Sequence, residues 1–321
     1  MKTIINSSIE DAVKWLNINQ IVAIPTETVY GLAGNALEED AVLQIFKVKA
    51  RPHFNPLIVH VNDWAKVAAY TKHIPEAALK LAETFCPGPL TFLLSKNERI
   101  SDLVTAGHDK VAIRIPAHPL TLQLLRQLDF PLAAPSANRF GYVSPTTAGH
   151  VMEGLSGLIP YILDGGPCKV GLESTIVDFE GEDVIIRRNG GVSIEKIEAL
   201  LGKKILKKTH DIEHPVAPGM LKSHYATTTP LYRGKLEDLI QRFPGKSVVL
   251  LEFGKPISGN YSNRLNLSAS GDLEEAARKL FSLMREADAC GADCILCPYL
   301  PNTGLGIAIN DRLQRAQFIE V

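Results

Sequence analysis

The chain has 321 residues, 45% of them hydrophobic and 21% charged, which is enough apolar material for packed cores and far from the profile of disordered chains. Its 34 Lys and Arg against 35 Asp and Glu leave a formal charge of -1, so no global positive field advertises nucleic acid or an anionic membrane, and any anion site has to be built locally. Five unevenly spread cysteines exclude a dense disulfide framework, and with neither a signal-peptide core in MKTIINSSIEDAVKW nor a run of roughly 18 apolar residues, a cytoplasmic location is expected.

Ser8 followed by Asp11, with Ile9, Ala12, Val13 and Leu16 at helical spacing, predicts a first helix near 8–17. It precedes a buried strand, QIVAIP (20–25), which opens into a polar loop, PTETVYGLAGN. Further strands are expected at 56–61, 89–95, 110–116, 130–135, 174–179 and 183–188. Helices are expected near 39–49, 75–85, 119–128, 145–154 and 193–201, with Pro75, Pro119 and Pro145 suited to first helical turns. The class is α/β, and the irregular connections favour a mixed sheet. After Gly202 a basic, then Pro-, Thr- and His-bearing stretch reads as a linker. A smaller strand–helix–strand unit follows, with a helix near 234–243, a strand at 246–253, a helix near 272–289 and a strand at 293–300.

Lys49 and Arg51 fall at the end of a predicted helix, from which two cations would project toward an anion or simply toward solvent. In KVAIRIP (110–116), strand alternation places Arg114 as a charge in an otherwise apolar strand, and a buried Arg needs an anionic partner from protein or ligand. Ser136 and Asn138 sit just past a strand end, where α/β sheets commonly bind ligands. Ser144 reads as an N-cap with Pro145 behind it, a helix start able to receive phosphate. Thr26, Thr28 and Tyr30, then Ser174 and Thr175, then Arg187 and Arg188 occupy other strand ends. Hydroxyls and cations together, with no Walker loop, no G-x-G-x-x-G and no Ser/His/Asp order, point to a nucleotide or phosphate site.

IPTETVYGL, the K-x-R of KVKARPHFNPL, FCPGPLTFLL, VAIRIP, the S-x-N of APSANRFGYVSPT, GLESTIVD and IIRRNGG resemble, in order and spacing, the YrdC/Sua5 family of threonylcarbamoyl-AMP synthases. PVAPGMLKSHYATTTPL resembles that family's interdomain linker, and GLGIAINDRLQRA its smaller domain. The resemblance implies a twisted mixed-sheet YrdC-like catalytic domain over 1–205, a linker over 206–230 and a small Rossmann-like Sua5 domain over 231–321. It implies that L-threonine, bicarbonate or CO2 and ATP, with Mg2+, give threonylcarbamoyl-AMP and pyrophosphate for t6A modification of adenosine 37 in tRNA. By motif, Lys49, Arg51, Ser136 and Asn138 would be catalytic and hold the ATP phosphates. Asn55, Thr146 and Arg188 would complete the nucleotide side, under Tyr225 of the linker. Thr28, His60, Arg114, Ser136 and Ser174 would surround the threonine. Ser223, His224 and Tyr225 would form a gate, and no dedicated general base is implied. Asn189 and Thr227 stand where the family often has Pro.

Three other readings compete. Cys290, Cys294 and Cys297 have radical-SAM spacing, but Cys294 and Cys297 on one strand would face opposite ways. Lys203, Lys204, Lys207 and Lys208 would suit a double-stranded RNA-binding module without turnover. Carbamoyl transfer of the hydrogenase-maturation kind belongs to longer chains. No metal-ligand motif is present, so no metal site is expected.

Overall fold

A computed structural model describes residues 2–209 and 225–318. The first part runs β1 (Ile4–Asn6), α1 (Ile9–Asn17), β2 (Val22–Ile24), β3 (Gly31–Asn35), α2 (Glu39–Lys49), β4 (Ile58–His60), α3 (Glu76–Phe85), β5 (Leu90–Ser95) and α4 (Asp102–Thr105). It continues with β6 (Lys110–Arg114), α5 (Pro119–Arg126), β7 (Leu132–Ala133), α6 (Ala148–Leu155), β8 (Tyr161–Leu163), β9 (Thr175–Glu180), β10 (Asp183–Arg188), α7 (Ile194–Leu201) and β11 (Leu206–Lys207). The second part comprises β12 (Leu231–Arg233), α8 (Leu236–Arg242), β13 (Val248–Glu252), β14 (Asn263–Asn266), α9 (Leu273–Ala289), β15 (Cys294–Cys297) and α10 (Leu305–Ala316).

The first eleven strands form one sheet in the order β1-β8-β2-β3-β7-β4-β6-β5-β9-β10-β11. It mixes parallel pairs such as β4 with β6 and antiparallel pairs such as β5 with β6, as the irregular connections suggest. The other four strands form a wholly parallel sheet, β12-β15-β13-β14, with α8 joining β12 to β13, α9 joining β14 to β15, and a loop over 253–262 joining β13 to β14.

Local chemistry explains where several elements begin. Ser8 Oγ accepts the Asp11 N–H at 3.1 Å and caps α1, whose buried Ile9, Ala12 and Leu16 pack with Leu124 and Leu125 of α5. Three elements differ from expectation. The loop PTETVYGLAGN contains β3, because Gly34 is there for close packing rather than for turning. A Cβ on it would meet Ile21 at 3.1 Å and Ile45 of α2 at 3.3 Å. Helix α6 begins at Ala148 with Thr147 as its cap, not at Pro145 with Ser144, because Ser144 Oγ is engaged by the Glu173 carboxylate at 2.7 Å. Likewise Pro75 is the residue before α3 rather than within it.

One large apolar cluster fills one face of the big sheet under α2 and α3, and a smaller one lies under α1 and α5. A third crosses between the two sheets: Val29, Val143, Leu172 and Tyr225 pack with Leu280, Phe281, Ile309 and Leu313. Burying each such aliphatic side chain contributes about 1.5–3 kcal/mol, so α9 and α10 are seated firmly on loops of the first sheet. The segment expected as linker from 206 starts inside that sheet, since β11 pairs with β10. Ser223 and His224 lie outside the described residues. On β15, Cys294 packs with Leu239 and Leu250, while Cys297 packs with the α9–α10 cluster, so the two thiols do face opposite sides.

Candidate functional site

Strand ends of the large sheet surround a small cavity of about 50 Å³. Thr28 comes from the turn between β2 and β3, His60 from β4, Arg114 from β6, Ser136 from the loop after β7, and Arg188 from β10. Arg51 enters from the turn after α2, and Glu173 and Tyr225 close the opposite side. A bulge between Ile186 and Arg188 shifts the β10 register, and such a shift re-aims a side chain. As a result the neighbours part: Arg188 lines the cavity, whereas Arg187 pairs with Asp178 and Glu180.

The cations are held in an unusual way. Lys49 is 1% exposed and does not project from its helix as expected. Its ammonium donates to the carbonyls of Ser136 and Asn138, each at 2.5 Å. Helix α2 ends one residue later in a left-handed turn at Ala50, which folds Lys49 inward and sets Arg51 on the cavity wall. Arg51 donates from Nε to Asn55 O at 3.1 Å and from Nη2 to Pro56 O at 2.9 Å. Arg188 donates to the carbonyl and hydroxyl of Ser174, each at 3.0 Å. Burial and then the Arg51 charge hold Lys49 well below its ordinary pKa. Burial and then Arg188 push Arg51 down to about 9, and burial foremost pushes Arg188 down to about 10. Guanidinium groups remain charged at neutral pH, so the site concentrates positive charge whose bonds to Lys49 and Arg51 come from neutral carbonyls. An anionic ligand would relieve that repulsion.

The residues expected on the threonine side differ. Arg114 lines the cavity but already has a protein partner: Nη2 donates to Glu27 Oε1 at 2.7 Å, in a buried pair. His60 is buried, and burial first and Arg114 second bring its pKa down to about 3, so it is a neutral imidazole. Thr26 Oγ1 donates to Val29 O at 2.6 Å, which leaves Thr28 as donor in the 2.8 Å bond between the two hydroxyls, with its lone pairs left to accept. Ser174 Oγ shares a 2.6 Å bond with Thr91 and accepts from Arg188.

Other expected residues stand behind the wall. Asn55, 0% exposed, orients Arg51 through its carbonyl, and its side-chain amide has no hydrogen-bond partner. Asn138 donates to the carbonyls of Arg139 and Tyr142 and leaves Oδ1 without a partner. Thr146 bonds His150. Tyr225 adopts a left-handed φ of 66°, is buried, stacks on Phe281 at 5.4 Å, and has its phenol pushed up to about 12 by burial foremost. Glu27 and Glu173 escaped the sequence reading. The signal that singled out Arg114, a charge among apolar and hydroxyl neighbours, also marks Glu27 in PTETV and Glu173 in GLEST. Among the basic residues after Gly202, Lys204 and Lys208 pair with Glu198 and Glu180, so their charge is answered locally, while Lys203 donates to the main-chain carbonyl of Glu182. Among the described residues no three or more His, Cys, Asp or Glu gather as a metal cage, and no helix is long and apolar enough to cross a membrane.

Residues 14–190 match the Sua5–YciO–YrdC family model, described as telomere recombination, and residues 192–317 match the C-terminal domain of threonylcarbamoyl-AMP synthase. The threonylcarbamoyl-AMP synthase of Pyrococcus abyssi is 39% identical over 95% of this chain and 92% of its own. That of Bacillus subtilis is 41% identical over 96% and 92%. The crystal structure of P. abyssi Sua5 complexed with L-threonine superimposes with a TM-score of 0.90 at 38% identity, covering 98% of this chain and 96% of that one.

Proposed function

The chain belongs to the Sua5–YciO–YrdC family and carries the C-terminal domain of the threonylcarbamoyl-AMP synthases, and from that premise we propose that it is a threonylcarbamoyl-AMP synthase. It would act as a nucleotidyltransferase, joining L-threonine, bicarbonate or CO2 and ATP into L-threonylcarbamoyl-AMP and pyrophosphate. The observation that carries the reading is the convergence of Arg51, Arg114 and Arg188 on one hydroxyl-lined cavity, with Lys49 directly behind it. Fixed cations of this kind favour a ligand that brings several negative charges.

In this reading the threonine amine bonds to CO2 and loses a proton to solvent, giving a carbamate. A carbamate oxygen then attacks the α-phosphorus of ATP in line, and the bond to pyrophosphate breaks. Arg51 and Arg188 stabilise the charge growing on the phosphate oxygens, while Lys49 fixes the Ser136–Asn138 turn that positions the reacting groups. Asn55 and Thr146 support the nucleotide side and Tyr225 covers it. Threonine lies against Thr28, Ser136, Ser174 and neutral His60, with its carboxylate toward Arg114. The Arg114–Glu27 pair meets a zwitterion better than a lone cation would, because no net charge is left buried. Among the described residues the lining offers a single carboxylate, Glu173, already engaged by Ser144 and Arg312, so magnesium would be carried by the phosphate oxygens and would offset part of their charge. No residue is assigned as general base.

The reading keeps a catalytic unit from residue 1 through β11, a linker from there to 230 with Tyr225 as part of a gate, and a second unit over 231–321. Its product would pass to t6A transfer machinery acting on tRNA in the cytoplasm. The test is mass spectrometry and pyrophosphate release with Mg-ATP and bicarbonate, with and without L-threonine. Threonine- and bicarbonate-dependent product is expected. ATP binding without product would defeat the reading.

A further inference from the structure

Arg312 belongs to α10 of the second unit, yet its guanidinium reaches groups of the first unit's cavity. Its side chain is 0% exposed. Nε donates to Glu173 Oε2 at 3.0 Å and Nη1 to Asp311 Oδ2 at 2.9 Å, and the guanidinium carbon lies 5.5 Å from the centre of the Tyr225 ring. Burial opposes its charge, but Tyr225, Glu173 and Asp311 outweigh burial and hold its pKa above the ordinary value. The approach is fixed by packing. A Cβ on Gly171 would come within 2.5 Å of the Arg278 backbone in α9, and Arg285 of α9 donates to Val143 O at 2.5 Å.

The surroundings of Glu173 show what such a cation does. Among the described residues, Glu173 is the one carboxylate lining the cavity, beside Arg51, Arg114 and Arg188. Its charge acts directly on Arg188. Left to itself, it would repel an incoming polyanion and offer Arg188 a competing partner. Ser144 supplies one neutral hydrogen bond to Oε1, which fixes the group without cancelling its charge.

We propose that Arg312 is a positioning residue for the reaction proposed above: from the second unit it holds and neutralises Glu173, so that Arg188 and Arg51 answer to the nucleotide's phosphates, and it seats the Tyr225 ring beside them. This inference rests on that reading for its substrate. It makes the second unit part of the ATP site without Arg312 touching ATP.

The test uses the full chain and three variants, Arg312→Met, Arg312→Lys and the double variant E173Q/R312M, each checked for a cooperative melt. ATP affinity is read by calorimetry, and KM for ATP and for threonine by pyrophosphate release. Arg312→Met is expected to weaken ATP about tenfold or more, with a smaller change in threonine KM, because it unmasks a carboxylate facing the phosphates. Arg312→Lys keeps the cation but loses the guanidinium's separate bonds to Glu173 and Asp311, so it should weaken ATP less than Arg312→Met does. The double variant has no carboxylate left to restrain and should also return to within about threefold. A purely structural role predicts the reverse, a double variant as weak as Arg312→Met or weaker, and that result would overturn the proposal. Unchanged ATP affinity in folded Arg312→Met would overturn it too. Where Arg312→Met does not fold, the double variant decides against wild type: ATP affinity within about threefold supports the proposal, and a loss of about tenfold or more overturns it. Wild-type protein that binds ATP but forms no product would refute the proposed function, while the calorimetric series still judges Arg312.

Discussion

The two arginines that end β10 are neighbours in sequence, and the structure treats them as opposites. Arg187 donates to Asp178 and Glu180, and Lys110 joins the same Asp178 at 2.5 Å, so the charge on that side of the hairpin is answered by carboxylates. Arg188, one residue on, lines the cavity and is bonded to a serine carbonyl and hydroxyl, while nearby Arg51 and Lys49 donate to main-chain carbonyls. A carboxylate partner neutralises a cation and contributes to stability. The carbonyl partners of Lys49 and Arg51 fix the direction of those cations without neutralising them. The first arrangement builds a fold, and the second prepares a site for an anion.

The sharpest way to break this contrast is to remove cations from the cavity. Arg51→Met and Lys49→Met are each expected to reduce turnover by about 10³-fold, the scale for losing a preorganised charge donor, with a cooperative melt retained. Near-normal turnover in both would end the assignment. On the other side, Asp178→Asn leaves two cations beside a lost buried charge and should cost about 3 kcal/mol of unfolding free energy. Its KM for ATP should not move, as a urea titration alongside kinetics would show.

His60 tests the cavity's electrostatics through pH. Its pKa is about 3 folded against 6.5 as the ordinary value, so between those limits the unfolded chain binds more protons. Stability from this group is therefore complete above about pH 6.5 and declines as pH falls toward 3, at up to about 1.4 kcal/mol per pH unit. Urea midpoints of wild type and His60→Asn between pH 4 and 7 should converge as the pH drops. Parallel curves would mean His60 is not held neutral. The smallest effect is expected for Ser144→Ala, about 1 kcal/mol of stability with ATP KM within about threefold, because Arg312 still holds Glu173. A larger rise in KM would transfer that role to Ser144.

Much of the site was legible because the signal was local. Thr28, Arg114, Ser136 and Arg188 all fall at strand ends and all line the cavity, and His60, implied by the family resemblance alone, lines it too. The orientation of Lys49 was not legible, because the carbonyls that hold its ammonium belong to Ser136 and Asn138, 87 and 89 residues later in the chain. Strand β3 was hidden for a related reason, since its glycines answer to Ile21, Ile45 and Ala134 rather than to their own neighbours. Arg312 carries no mark of function within GLGIAINDRLQRA. Its meaning comes from Glu173, 139 residues earlier in the chain.

Periodicity, caps and strand alternation act over a few residues, so the sequence by itself determined the α/β class, most of the helices and the gathering of hydroxyls and cations at strand ends. Which cations meet carboxylates and which meet carbonyls was decided only by tertiary structure, because a buried charge takes its partner from whatever the fold brings within about 3 Å of it.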